Sequence, residues 1–411
     1  MADDALAFDT VDVRPDTVPP HVDPERVVDY DYMNPPGMED GDYYRGIKRL
    51  HQGPDILWTP HHGGHWVATR FDDVKWMQET WQLFSSHEIG VPVGRSPYMP
   101  PITDDPPDHS RYRAALNPFF TKRRAEEEYQ PRVRRIIAGL LEELRPKGKA
   151  EWVSEFSFVG PLRIFWDFVD LPYDKREQFL GWGRAMFGLG GLEARLKAHA
   201  EMSAYIGELL DQRLDGDSDD IFTAISNWRH NKRYEKREEL IGMAELVFVG
   251  GQDTVASQFG FAMQRLAERP ELQQRLKDDP AVIPAAVEEF LRRHGLTHTS
   301  RLIKEDVTRK GATMKAGEMI MGVTGLSGLD ERMYPDTFTV DFDREACPHN
   351  TLGNGAHKCV GAPLGRMEMR VMLEEVAKRM PIVRLDPDQP APRAAPAPVL
   401  GLRNLHLSWE V

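Results

Sequence analysis

The stretch Thr351-Leu352-Gly353-Asn354-Gly355-Ala356-His357-Lys358-Cys359-Val360-Gly361 decides how this chain is read. Glycines crowd a loop, a cysteine ends it, and a helical pattern starts there and runs to Met380. Glycine lets backbone N–H groups approach whatever sits at the cysteine. A helix N-terminus favours the thiolate. Together these are the parts of a thiolate ligand for a metal enclosed by backbone. The residues alone leave other readings open. A buried free cysteine is the plainest. Gly353, Gly355 and Gly361 do not fit G-x-G-x-x-G, which counts against a dinucleotide turn. Cys347-x-His349 mirrors His357-x-Cys359, but the one-residue gaps miss the spacing of zinc modules. No cysteine-hydrolase signature surrounds Cys359.

Working outward, a helical pattern covers 235–269. Its apolar stripe of Leu240, Met243, Ala244, Val247 and Phe248 runs into Gly250-Gly251-Gln252-Asp253-Thr254. Each glycine inside a helix costs roughly 1 kcal/mol relative to alanine. A helix tolerates that where something must come close to its backbone. An acid and a hydroxyl follow in otherwise apolar surroundings. The plainer reading is a kink with Thr254 bonding back to a carbonyl. Glu289 and Arg292 stand three apart and face each other on a helix; a surface ion pair is the plain reading there. In Asp105-Pro106-Pro107-Asp108-His109-Ser110-Arg111-Tyr112-Arg113 the prolines precede a helix start. His109 and Arg113 then share one helix face, which on its own reads as solvated basic surface.

Lys+Arg number 52 against Asp+Glu 65, a net charge of −13 that argues against a general nucleic-acid role. Cys347 and Cys359 are the 2 cysteines, which rules out a disulfide scaffold and points to a reducing, cytoplasmic setting. Residues 1–40 are acidic and broken by Pro19-Pro20 and Pro35-Pro36. They read as an extended arm without the marks of a secretory signal. No apolar run approaches the ~20 residues of a membrane span.

A β-hairpin is expected over 55–69 around Gly63-Gly64. Val133, Ile136, Ile137, Leu140, Leu141 and Leu144 make a one-face helical stripe that stops at Pro146 and Gly148. Further helical patterns cover 176–212 and about 280–294. Short strands are read at Arg301-Leu302-Ile303, and at Ala312-Thr313-Met314 and Met319-Ile320-Met321 about a turn. A closing hairpin is read over Leu400–Leu407. The 411 residues would allow two or three domains at ~150 each. No linker or repeat divides them, and the alternation of an α/β sheet is absent. The expected class is mainly α with a small β portion, one large domain over residues 1–411.

Taken in order, G-x-G-x-H-x-C-x-G, G-G-x-D-T, E-x-x-R and H-x-x-x-R resemble the motifs of the cytochrome P-450 family of haem-thiolate monooxygenases. Gly63-Gly64-His65-Trp66, Phe84-Ser85-Ser86, Leu326–Arg332 and Leu405–Trp409 are similar to its soluble bacterial camphor hydroxylase subgroup. The resemblance implies a cytochrome P-450 fold around a buried haem b. Cys359 would be the axial iron ligand, its electron density aiding O–O cleavage. Gly250 and Gly251 would lie in the oxygen-binding helix, with Asp253 and Thr254 delivering protons to dioxygen. His109, Arg113, Arg301 and His357 would hold the haem propionates. Glu289 and Arg292 would be a structural pair. Leu352 stands where the family usually has Phe, and Thr299 where it has an acid.

By the same resemblance Tyr98, Ile102, Leu246, Val249, Thr254, Thr297 and Val399 are substrate-pocket candidates. They suit a small apolar terpenoid of camphor, cineole or norisoprenoid type. No flavin or reductase domain fits in the chain, so electrons would come from an iron–sulfur ferredoxin with its ferredoxin reductase. Arg111, Lys122, Arg123, Lys358, Arg366 and Arg370 read as a basic dock for it. The family's habit is a monomer. Two rival classes remain: a non-catalytic haem sensor or ligand carrier, against which Asp253-Thr254 speaks, and a zinc or cysteine hydrolase without haem.

Overall fold

Val133, Ile137, Leu140, Leu141 and Leu144 are all buried along one side of the helix Gln130–Leu144. Pro131 opens it, and Gly148 closes the following turn in the left-handed region at φ 69°. Its buried side packs on the long helix Ala362–Arg379 that follows Cys359. The computed structural model describes residues 18–35, 42–94, 96–169, 171, 173–186, 191–230, 233–251, 253–395 and 399–411. It is mainly helical with a smaller sheet portion, as the sequence led us to expect.

Two apolar cores meet beside the cysteine loop. One gathers Val133–Leu144, Phe259–Ala267, Phe290 and Val371–Val383. The other gathers Phe165, Phe179, Met202–Leu210, Ile225 and Met243–Phe248. Leu352 packs against the first and Val360 against the second. The loop therefore lies on the seam between them.

The helical pattern over 235–269 is two helices, Arg237–Gly250 and Asp253–Glu268. The break falls at Gly251, where the phenylalanine ring of Phe165 stands 2.6 Å from where a Cβ would be. The pattern over 176–212 is also two helices, Arg176–Met186 and Gly191–Arg213.

The main sheet has five strands in the order Ile56–Thr59, His65–Ala68, Met319–Val323, His298–Ile303, Phe84–Ser85. The hairpin at 56–68 is present, and Met319–Val323 joins it in parallel. Ala312–Met314 pairs with Val307–Arg309, so the two strands about the turn at Gly317 are not partners. The closing hairpin is likewise absent. Gly401–Asn404 pairs with Arg393–Ala395, whereas His406–Ser408 pairs with Arg384–Leu385 and Lys149–Glu151. Leu405 and Leu407 are fully buried, and their place in the core carries the chain onward into a second sheet.

Of the N-terminal arm, residues 1–17 and 36–41 lie outside the described residues. The rest is tied down. Val28 N–H donates to the Trp58 carbonyl at 2.9 Å, Thr59 Oγ1 donates to the Tyr30 carbonyl at 2.8 Å, and Tyr30 is buried. Among the described residues no helix is long and apolar enough to cross a membrane.

Candidate active site around Cys359

The cysteine loop folds back on itself. Cys359 N–H donates to the Leu352 carbonyl at 2.8 Å, and Ala362 N–H donates to the Cys359 carbonyl at 3.3 Å. Gly353 and Gly355 both sit in the left-handed region, at φ 70° and 65°. A side chain at Gly355 would strike the Gln78 carbonyl oxygen and Glu79 Cα at 2.9 Å. Glycine is therefore required twice over at that position.

The amides of Gly361 and Ala362 bond toward the Cys359 sulfur, and Arg113 and Arg366 add positive charge. Burial nevertheless outweighs them and pushes the thiol above its ordinary value. The helix N-terminus alone does not yield the thiolate. A metal cation taking the proton's place would. Cys359 is deep among protein atoms yet still has exposed surface, so it lines an internal hollow.

The helix break lies next to this hollow. A Cβ on Gly365, in the first turns after the cysteine, would touch Val255 at 3.7 Å. Gly250 is exposed at the end of a buried helix, and a Cβ there would meet nothing within 4 Å. Thr254 Oγ1 donates to the Gly250 carbonyl at 3.3 Å. Beside it, burial lifts the Asp253 carboxyl to about 6. The kink with a backbone-bonded threonine and the acid–hydroxyl pair are thus the same structure.

His109, Arg113, Arg301 and His357 converge on another side. The rings of His109 and His357 lie 4.4 Å apart, and His357 Nε2 is 2.9 Å from Ser86 Oγ. Arg113 Nη1 donates to the Lys358 carbonyl at 2.9 Å, and Arg301 Nη1 to the Ser300 carbonyl at 2.7 Å. Burial, then Arg301, His109 and Arg113, hold His357 down to about 2. Burial and Arg113 hold His109 down to about 4. Among the described residues neither arginine has a carboxylate within 4.0 Å. Two guanidinium groups and two neutral imidazoles thus face one another with only the more distant charge of Asp105 against them, and bound carboxylates would complete the set. A thiol facing a hollow, a side-chain-free helix edge and these donors together fit the implied haem and its two propionates.

The other expected residues fall as follows. Thr297 and Val399 are direct partners in an isolated antiparallel bridge. Leu246 and Val249 are half-buried on a helix whose other apolar residues are mostly buried, and Ile102 is half-buried in the loop before His109. The Tyr98 hydroxyl is engaged by Asp104 at 3.3 Å and Tyr112 at 3.5 Å. Glu289 and Arg292 form a bidentate pair at 2.7 and 2.8 Å, wholly buried rather than on the surface. Arg344 adds a second cation at 3.1 Å, and the thiol of Cys347 donates to Glu289 at 3.2 Å.

The expected basic dock is largely neutralised. Arg111 faces Asp108, Glu235 and Glu239; Arg123 faces Glu127 and Glu128. Arg366 grips Glu288, and Arg370 faces Glu126 and Glu374. Lys122 and Lys358 remain exposed. Sequence reading assigned no individual role to Ser86, Arg344, Gln78, Asn350 or Asn354, each of which bonds to a site element.

A profile of the family described as cytochrome P-450 matches residues 210–394. The mycinamicin IV hydroxylase/epoxidase of Micromonospora griseorubida is 33% identical over 330 residues, 78% of this chain and 83% of that protein. The nocardicin C N-oxygenase of Nocardia uniformis is 31% identical over 332 residues, 78% of this chain and 83% of that protein. The crystal structure of cytochrome P-450 CYP101C1 superposes with a TM-score of 0.88 at 32% identity, over 96% of this chain and 100% of that one. The chain belongs to the cytochrome P-450 family and is a haem b-binding monooxygenase.

Proposed function

We propose that this enzyme hydroxylates a small apolar, terpenoid-like substrate with dioxygen and two electrons from an iron–sulfur ferredoxin served by its reductase. The observation that carries the substrate class is the make-up of the candidate lining. Leu246, Val249, Val399 and Ile102 are apolar; Thr297, bridged to Val399, and Thr254 carry hydroxyls, and the Tyr98 hydroxyl is engaged by Asp104 and Tyr112. No charged residue is among these candidates, which suits a ligand without charge.

Haem b, when bound, supplies the dioxygen-activating chemistry. Cys359 Sγ would ligate its iron, with the Gly361 and Ala362 amides tempering the charge on sulfur. His109, Arg113, Arg301 and His357 would bind and orient the propionates. Gly250 leaves room along the helix, and Gly251 lets Phe165 close over its other side. Asp253, lifted to about 6, holds a proton for part of the time near neutrality and passes it toward Thr254 Oγ1. Thr254 is oriented for this by its bond to the Gly250 carbonyl. Glu289 and Arg292 keep the segment 328–344 in place behind the cysteine loop. We take residues 1–411 to work as one domain, as a monomer in the cytoplasm.

A panel of camphor, cineole and norisoprenoid ligands titrated into the ferric holoenzyme tests the substrate class. Displacement of iron-bound water, seen as a shift of the Soret band, is expected for at least one. Shifts only with large macrolide or charged ligands would overturn it.

A further inference from the structure

We propose that Gln78 is a positioning residue that locks the cysteine loop to the strand carrying the propionate arginine; the inference rests on the haem reading above. Gln78 lies in the last turn of the helix Phe71–Glu79, is 3% exposed, and is at no position that the motifs mark. Its amide has two different partners. Nε2 donates to Thr299 Oγ1 at 3.2 Å, and Oε1 accepts from Asn354 Nδ2 at 2.8 Å. Asn354 also donates to Asn350 Oδ1 at 2.8 Å, and Asn350 Nδ2 donates to the Phe71 carbonyl at 2.9 Å. Phe71 begins the helix whose last turn holds Gln78, so the bonds close a ring from one end of that helix to the other through the loop.

The other arm of the amide reaches the strand His298–Ile303. Thr299 and Arg301 stand two apart there and share one face. Thr299 Oγ1 in turn donates to the Gly322 carbonyl at 3.4 Å on the neighbouring strand. The loop also sits directly on the helix end, where a Cβ on Gly355 would meet the Gln78 carbonyl oxygen at 2.9 Å. One buried side chain thus spans the loop that presents Cys359 and the strand that presents Arg301. A side chain that donates and accepts at once does this while leaving the Thr299 hydroxyl proton on the Gly322 carbonyl. Glutamate could hold Thr299 only by drawing its hydroxyl proton away from the Gly322 carbonyl and would bury a carboxylate, and leucine can neither donate nor accept. With the clamp gone, loop and strand drift independently, and thiolate ligation and propionate binding are no longer held in register.

The test uses the full-length holoprotein with Gln78→Leu, Gln78→Glu and Thr299→Val. Two quantities are read: the rate of haem transfer to apomyoglobin, and the share of the reduced carbon-monoxide complex showing the thiolate-type Soret band. Loss of the two bonds in Gln78→Leu is expected to speed haem loss about tenfold and to lower the thiolate-type share. Gln78→Glu should follow it. Thr299→Val is near-isosteric, removes the bond from Gln78 together with the longer one to the Gly322 carbonyl, and should speed loss about threefold. Added to Gln78→Leu it should cost less than it does alone, since the Gln78–Thr299 bond is shared and only the longer Gly322 bond is lost anew. Wild-type haem loss and spectrum in Gln78→Leu would overturn the proposal. If that variant does not fold, unchanged haem loss in Thr299→Val does the same. Absence of any thiolate-type spectrum in the wild-type protein would instead overturn the haem reading itself.

Discussion

Arg113 Nη1 donates to the carbonyl oxygen of Lys358 at 2.9 Å, one residue before Cys359. A residue picked out for the propionates therefore also grips the cysteine loop, and its charge acts on the sulfur. Arg113→Leu should speed haem loss by about an order of magnitude, from a charged hydrogen bond worth roughly 1.5–3 kcal/mol. Arg113→Lys should restore little, because lysine lacks the planar fork. Stopped-flow haem transfer checks this. Full recovery in the lysine variant would leave only a charge effect.

Asp253 gives a prediction with a sign. Burial raises its carboxyl from 3.8 to about 6, so ionising it costs the folded state. The penalty is absent below pH 3.8, grows toward pH 6, and is complete above it. Asp253→Asn should therefore match the wild type in stability near the lower value and exceed it at neutral pH, by up to about 3 kcal/mol. The same variant, and Thr254→Ala, should divert electrons to water or peroxide instead of product. Urea melts across pH and product-to-NADH ratios measure the two effects. A neutral-pH stability no higher than wild type would contradict the burial argument.

Arg292 has 0% exposure, and beyond Glu289 it donates to the carbonyls of Gly328, Thr337 and Thr339 at 2.7–2.9 Å. Removing one member of a buried pair strands the other. Arg292→Leu should cost about 3–5 kcal/mol and yield little haem-loaded protein. Chemical denaturation, or the failure to recover soluble holoprotein, decides it. A loss below about 1 kcal/mol would place the pair in the class of surface bridges.

Local chemistry made much of this site legible. The glycines of the cysteine loop and of the helix break violate helix and loop economy openly, so they stand out in sequence. The propionate residues were legible only through the order of motifs, because a lone His109 or Arg301 carries no local mark. Gln78 and Asn354 were not legible, since their bond joins residues 276 positions apart. The break at Gly251 needed knowledge of where Phe165 packs. The closing hairpin was misread because period-2 alternation at Leu405 and Leu407 does not say which strand is the partner. The neutralised basic face was partly visible beforehand: Arg123–Glu127 and Arg370–Glu374 are i,i+4 pairs.

The helices Gly191–Arg213 and Arg237–Gly250 are pinned by His199 and Glu245, 3.5 Å apart, with Ser203 Oγ also donating to Glu245. Glu245 raises His199 above its ordinary 6.5. The pair is therefore fully present below that value and fades as pH rises through the higher one. His199 is half-exposed, so its worth is under about 1 kcal/mol. Hydrogen exchange over residues 196–206 should quicken beyond the intrinsic rate as pH rises through the raised value of His199. His199→Phe should remove that excess. An equal excess in the variant would assign it elsewhere.

The most direct test of the whole account is the spectrum of the reduced, carbon-monoxide-bound protein with each cysteine replaced in turn. Cys359 lines the hollow, whereas the Cys347 thiol is bonded to Glu289 and held up to about 12. The wild type and Cys347→Ala should both show the Soret band of thiolate-ligated haem, and Cys359→Ala should lose it. A retained band in Cys359→Ala, or none in the wild type, would contradict the assignment of Cys359 as the iron ligand.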